Sequence, residues 1–183
     1  MCAYGLVRSQ WKISTILYAF FAFSLVIPFQ IIMVPIGVLA SDLHLMSVHG
    51  LIPMYWGLGC PTAIFMFHGF IKSVPQELEE SASIDGAERF YIFFNIVLPL
   101  IKTIIATVAV IDALWIWNDF LLPLIVAKQG TIQLAQMRFN GQFMKDYGPM
   151  CASLTISSIP IIAFYLLLQK YIIKGIAAGA VKG

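Results

Sequence analysis

Lys72-Ser-Val-Pro-Gln-Glu-Leu-Glu-Glu-Ser-Ala-Ser-Ile-Asp-Gly-Ala-Glu-Arg-Phe90 holds five of the chain's nine acidic residues. Carboxylates at that density belong in water, yet the sequence turns apolar on both sides. Gly50 to Ile71 carries no formal charge, and Ile96 to Ala127 carries only Lys102, Asp112 and Asp119. Farther out, Ile13 to Ala40 and Tyr147 to Gln169 are also uncharged. A hydrocarbon core about 30 Å thick is crossed by roughly 20 helical residues rising about 1.5 Å each, so each run is long enough. With 60% hydrophobic and 11% charged residues in 183, the chain falls well short of the roughly 25% charged residues of soluble domains. The fold class that follows is all-α: a polytopic transmembrane helix bundle, residues 1–183 forming one membrane domain. Its spans are expected at about 13–40, 50–71, 96–127 and 147–169, with a water-facing segment at about 73–95.

The first and third runs exceed a straight crossing, which predicts tilt or kinks, with Pro28, Pro35, Pro99, Pro123 and Pro160 as kink candidates. Arg8, Lys12 and Trp11 precede a run too long for a signal-peptide core, so the first run is expected to stay in the membrane. Four spans place both termini on one side. Arg8, Lys12, Lys72, Arg89, Lys102, Lys170, Lys174 and Lys182 fall on that side, against Lys128, Arg138 and Lys145 on the other, so the positive-inside rule makes the termini and the acidic segment cytoplasmic.

Several function classes are excluded. Cys2, Cys60 and Cys151 have no metal-ligand spacing and read as small packing residues, so neither a metal nor a cofactor is expected. A net charge of +2 without a basic cluster gives no reason to expect nucleic acid. No GxxxxGK[ST] sequence is present to bind ATP, and no HExxH or GxSxG marks a membrane-embedded enzyme.

Within the acidic segment, Pro75 suits a first helical position, and Glu77, Glu79 and Glu80 fall where the helix dipole favours negative charge. A helix is predicted from about Pro75 to Ile84, stopped at Gly86, with Ala87 to Asn95 as a second helical piece. Leu78, Ala82 and Ser81 should share a face of small residues, Glu77 and Glu80 projecting elsewhere. Such a face permits close approach of another surface; by composition alone the segment is equally an ordinary solvated interhelical loop.

Glu80-Ser81-Ala82-x-x-x-Gly86, nine further residues and then Ile96-x-Leu98-Pro99 resemble the EAA signature of permease subunits in binding-protein-dependent ABC importers. The spacing agrees at every fixed position, with Ser81 where the family usually has alanine. Trp117-Asn118-Asp119-Phe120-Leu121-Leu122-Pro123-Leu124, the stretch Gln169-Lys170-Tyr171 to Gly175, and Gly179 to Gly183 are similar to the maltose-type carbohydrate branch. The resemblance implies a type I ABC importer permease fold in a bacterial inner membrane. It also implies a second permease subunit forming a heterodimer, a cytoplasmic ABC ATPase dimer and an extracytoplasmic sugar-binding protein. Glu80, Ser81, Ala82, Asp85, Gly86, Ile96, Leu98 and Pro99 would then couple the spans to the ATPase, with Glu80 meeting a basic group on it. The tail from Gly179 would reach the ATPase, and the Thr131 to Phe143 stretch would touch the binding protein. Related subunits usually have six spans. Ala3 to Arg8 looks like the link after the second, so the family's first two spans are expected to be missing here.

Asp112 lies ten residues past Lys102, about 15 Å along a helix, near mid-bilayer. Acids there usually face a bundle interior or a water-filled cavity. Asp112, Trp115 and Asp119 follow i, i+3, i+7 spacing beside Asn118, and carboxylates, an amide and an indole suit a translocation path for a polyol. The same residues fit an Asp112 that pairs with a neighbouring helix or subunit and a Trp115 that only packs. The alternatives are an ABC permease for another small solute, which shares the EAA segment but fits the Trp117 to Leu124 stretch and the tail less well, and an ion-coupled secondary transporter built on Asp112, which leaves the EAA-like segment without a purpose. His68, Met33, Met54 and Met66 read as packing residues.

Overall fold

The computed structural model describes residues 1–9, 11–139 and 147–180. Among these no strand occurs. The order is α1 (Cys2–Arg8), α2 (Lys12–Ser24), α3 (Phe29–Asp42), α4 (Leu51–Ile71), α5 (Glu77–Ile84), α6 (Arg89–Ile92), a π turn (Phe93–Val97), α7 (Leu98–Leu100), α8 (Lys102–Asn118), α9 (Leu121–Val126), α10 (Ile132–Gln136), a 3-10 turn (Met137–Phe139) and α11 (Tyr147–Ala180). Tyr147–Lys170 is long and apolar enough to cross a membrane by itself, while α2 with α3, and Arg89–Leu100 with α8, qualify only as bent pairs, giving up to three crossings by length and composition. The helix α4 has the length, 21 residues, but its Pro, Gly, Trp, Tyr and His lower its hydropathy.

The chain packs as two compact units, each drawn from separated segments. The first comprises Met1–Val26, Cys60–Val110 and Leu168–Gly183. Its core joins Ala3, Ile64, Ile71, Val74, Ile92, Phe93, Val97 and Ile101. Phe93, Val97 and Ile101 recur every four residues, so one face of the chain leaving the acidic segment is continuously apolar and buried. Pro99 explains the π turn ahead of it. Its ring brings no N–H and crowds the carbonyl four residues back, at Asn95, and the backbone widens rather than continuing as an α-helix.

The second unit comprises Ile27–Gly59 and Ile111–Leu167. Ala40 of α3, Leu51 at the start of α4, and Leu122 and Val126 of α9 form its centre, three of them with no exposed surface. Close packing of α3 on α9 uses the absence of a side chain at Gly37, where a Cβ would sit 2.9 Å from Ile125 Cγ2. Trp117 donates from Nε1 to Ser157 O at 3.0 Å, Gln133 donates to Trp117 O, and Gln136 donates to Ser157 Oγ at 2.9 Å, tying α10 and the end of α8 to α11.

Of the proline kink candidates, Pro28 caps α3 after the break at 25–28, Pro99 precedes the break at Ile101, and Pro123 lies in the first turn of α9; Pro35 and Pro160 stay inside continuous helices. The cysteines differ from expectation: Cys2, Cys60 and Cys151 are free and exposed on the chain rather than packed. The part of the Thr131 to Phe143 stretch beyond Phe139, and the last three residues of the tail, lie outside the described residues.

Candidate functional site

Two clusters bring the predicted residues together, one in each unit. In the first unit, α5 runs Glu77–Ile84 with Gln76 as its N-cap, so Pro75 lies just outside rather than at the first helical position. Three glutamates remain in the first turn, where unpaired backbone N–H groups and the helix dipole favour them.

The C-terminus is closed by a Schellman motif. Gly86 N donates to Ser83 O at 3.1 Å, Ala87 N donates to Ala82 O at 3.0 Å, and Gly86 adopts φ +87°. The left-handed conformation that the motif requires at this position suits glycine. Ala82 and Ala87 then pack together on the apolar core. The predicted stop at Gly86 is thus a defined turn rather than an end of order.

The rotation of α5 differs from the predicted face. Glu79 is buried, only 8% exposed. Its Oε2 accepts from the Tyr4 hydroxyl at 2.6 Å and its Oε1 pairs with Arg8 Nη2 at 2.6 Å, with Arg8 Nε at 2.8 Å. Arg8 Nη2 also donates to Val74 O at 3.0 Å. Burial first, then the hydrogen bond to Glu79 and its charge, push the Tyr4 phenol up to about 12, so it remains a donor at neutral pH.

Fixing Glu79 inward turns Ala82, three residues on, toward the core. Glu77, Glu80, Ser81 and Ile84, at i, i+3, i+4 and i+7, become the outward face, and all four are exposed. Ile84 is 86% exposed, a bare apolar side chain on a face with two glutamates. Ala82 therefore leaves the face it was expected to share with Ser81. It lines instead, with Asp85, Gly86, Ala87, Glu88 and Tyr91, an open depression behind the turn. Ile96 and Leu98 pack against the core, and Pro99 is exposed. Ile84 was missed in the sequence because the glutamates around it dominate the pattern; its i+4 position from Glu80 was the available signal.

The second cluster lies in the other unit. Asp112 is half-buried and faces α4 at Gly59, where a Cβ would come within 3.8 Å of its Oδ2. No hydrogen bond or ion pair reaches its carboxylate among the described residues. Trp115, one turn along, is 40% exposed and meets the Tyr55 ring edge-on at 5.7 Å and 87°. Tyr55 in turn donates to Asp119 Oδ2 at 2.9 Å, while Asp119 Oδ1 accepts from the backbone N of Leu121, the first residue of α9, at 3.1 Å. Asn118 turns back to Leu114 O at 2.7 Å.

Thus Asp112, Trp115 and Asp119 are gathered as the spacing predicts, opposite Tyr55 and Gly59, which lie four apart on α4. Asn118 is spent on its own helix. A carboxylate with no partner among the described residues, an exposed indole and a tyrosine can together offer hydrogen bonds and a ring face to a polyhydroxylated molecule. Tyr55 and Gly59 went unnoticed because α4 is apolar nearly all round and its facing side is not marked by polarity.

The family model described as binding-protein-dependent transport system inner membrane component matches residues 1–178. The chain is 41% identical over 185 residues to the probable starch degradation products transport system permease protein AmyC of Thermoanaerobacterium thermosulfurigenes, covering 100% of this chain and 68% of that protein. It is 41% identical over 187 residues to the multiple sugar-binding transport system permease protein MsmG of Streptococcus mutans, covering 98% and 68%. To the melibiose/raffinose/stachyose import permease protein MelC of Bacillus subtilis it is 34% identical over 188 residues, covering 100% and 68%.

Proposed function

Because the chain belongs to the family of binding-protein-dependent transport system inner membrane components, we propose that it is the permease subunit of an ATP-binding-cassette importer for a carbohydrate. The observation that carries this reading is the short acidic helix α5, closed by the positive-φ turn at Gly86, in a chain whose relatives are named for starch products, multiple sugars and melibiose, raffinose and stachyose.

The energy comes from a separate cytoplasmic ATPase dimer, since the sequence has no phosphate-binding loop of its own. The outward face of α5 enters a groove on the ATPase: Ile84 is withdrawn from water, Glu80 finds a basic partner, and the depression at Ala82, Asp85 and Gly86 receives a projection from it. Closure of the ATPase pair moves α5. That motion passes into α6, the π turn and α8, because Ile92, Phe93, Val97 and Ile101 share one buried core with the helices flanking α5. Ile96, Leu98 and Pro99 sit along this link.

In the membrane, Asp112, Trp115 and Asp119, with Tyr55, line part of the sugar's path, alternately binding hydroxyls and presenting a ring face. A second permease subunit completes the path, and an extracytoplasmic sugar-binding protein delivers the solute. The chain lies in a bacterial inner membrane as one multi-pass domain with both termini cytoplasmic, α4, 21 residues long, crossing beside the three spans that length and composition admit.

Reconstitution of the assembled importer in liposomes tests the reading. ATP-dependent accumulation of a labelled oligosaccharide, insensitive to an uncoupler, is expected. Uptake abolished by the uncoupler and indifferent to ATP would transfer the function to ion-coupled transport at Asp112.

A further inference from the structure

We propose that Arg8 and Tyr4 of α1 are positioning residues for α5, setting the orientation in which it transmits force by holding Glu79. This inference rests on the coupling role given to α5 above.

The helix α1 touches the acidic segment at three successive places. Arg8 donates to Val74 O where the segment begins; Arg8 and Tyr4 bond the two oxygens of Glu79 in α5; and the Tyr4 ring packs on Phe93, centroids 5.1 Å apart, where the segment ends. Ala3, beside them, belongs to the same buried core as Val74, Ile92 and Phe93. A seven-residue helix distant in sequence thus braces the entrance, middle and exit of the segment.

The brace is directional. An apolar contact alone permits α5 to roll about its axis, whereas one carboxylate bonded through both oxygens to two side chains on α1 does not. Rotation of α5 by one residue, about 100°, would carry Glu79 away from both partners and present a different set of side chains outward. Glu77, Glu80, Ser81 and Ile84 face outward because Glu79 faces inward. Glu79 is buried and Arg8 and Tyr4 are part-buried against it, so a partner docked on the outward face has no direct use for them. A positioning role accounts for that arrangement.

The assembled importer in liposomes, with ATPase rate and solute uptake measured together, provides the test. Arg8→Gln and Glu79→Gln are expected to lower solute imported per ATP hydrolysed severalfold while the ATPase stays bound. Tyr4→Phe, which removes only a hydroxyl, should lower the ratio less. The exchanged pair Arg8→Glu with Glu79→Arg should recover more of the ratio than either Arg8→Glu or Glu79→Arg alone. An unchanged ratio in Arg8→Gln and Tyr4→Phe would overturn the proposal. So would loss of uptake and hydrolysis in strict proportion to loss of assembled protein, with no recovery in the exchanged pair. Gly86→Trp separates the two readings: if it uncouples and Arg8→Gln does not, the brace fails alone, and if neither changes the ratio, the coupling role of α5 fails with it.

Discussion

Replacing Gly86 by a graded series of residues probes the turn that closes α5, the helix proposed to couple to the ATPase. Gly86 stands at φ +87°, and a Cβ added there would find nothing within 4 Å in the chain. Steric conflict inside the protein is therefore absent, and the cost is conformational. An L-residue held in the left-handed region loses about 1–2 kcal/mol, and asparagine, which visits that region more readily, loses less. Spread over the equilibrium between the capped and frayed ends of α5, this is a factor of roughly 5–30. The order of solute imported per ATP should be glycine, then asparagine, then alanine, then valine, with Gly86→Ala several-fold below wild type and membrane insertion unchanged. Amide hydrogen exchange at Gly86 and Ala87, whose N–H groups close the motif, should rise in the same order. If asparagine is as damaging as valine, the size of the side chain against the docked partner governs the turn. If alanine and valine match glycine in both assays, the reasoning is refuted.

Other perturbations give distinct outcomes. Tyr55→Phe deletes the donor to Asp119 Oδ2; a hydrogen bond to a charged group is worth about 1.5–3 kcal/mol, so thermal unfolding in detergent should move down, and Asp119→Asn, which keeps an acceptor, should move it less. Leu122→Ala removes a side chain with no exposed surface and should destabilise by about 2–5 kcal/mol, read from the same melting curves. Gly130→Ala meets both φ +90° and Val48 Cγ2 at 2.7 Å; it should cost more than the roughly 1–2 kcal/mol of the backbone alone, and Val48→Ala should restore only the steric part.

Helical character and the place of the acidic helix were legible because both follow from local pattern: uncharged runs long enough to cross lipid, and glutamates followed by Asp85-Gly86. The breaks were legible in part. A proline marks where a hydrogen bond is lost, but Pro35 and Pro160 continue within helices while the chain breaks at 25–28 and at Ile101, since in lipid the neighbouring backbone can re-satisfy the freed group. The rotation of α5 was not legible. It depends on Arg8 and Glu79, 71 positions apart, and nothing in one sequence pairs them. Tyr55 and Asp119, 64 apart, escaped for the same reason. Asp112, Trp115 and Asp119 were recognisable because helical spacing alone gathers them.

The central claim is that α5 meets a separate ATPase on the cytoplasmic side. A cysteine at Ser81, on the outward face, in a chain whose Cys2, Cys60 and Cys151 are replaced by serine, tests it directly. Cross-linking of that cysteine to the ATPase subunit in intact membranes, with no labelling by a membrane-impermeant thiol reagent added outside the cell, is the predicted result. Labelling from outside, or no cross-link to an ATPase that is present, would contradict it.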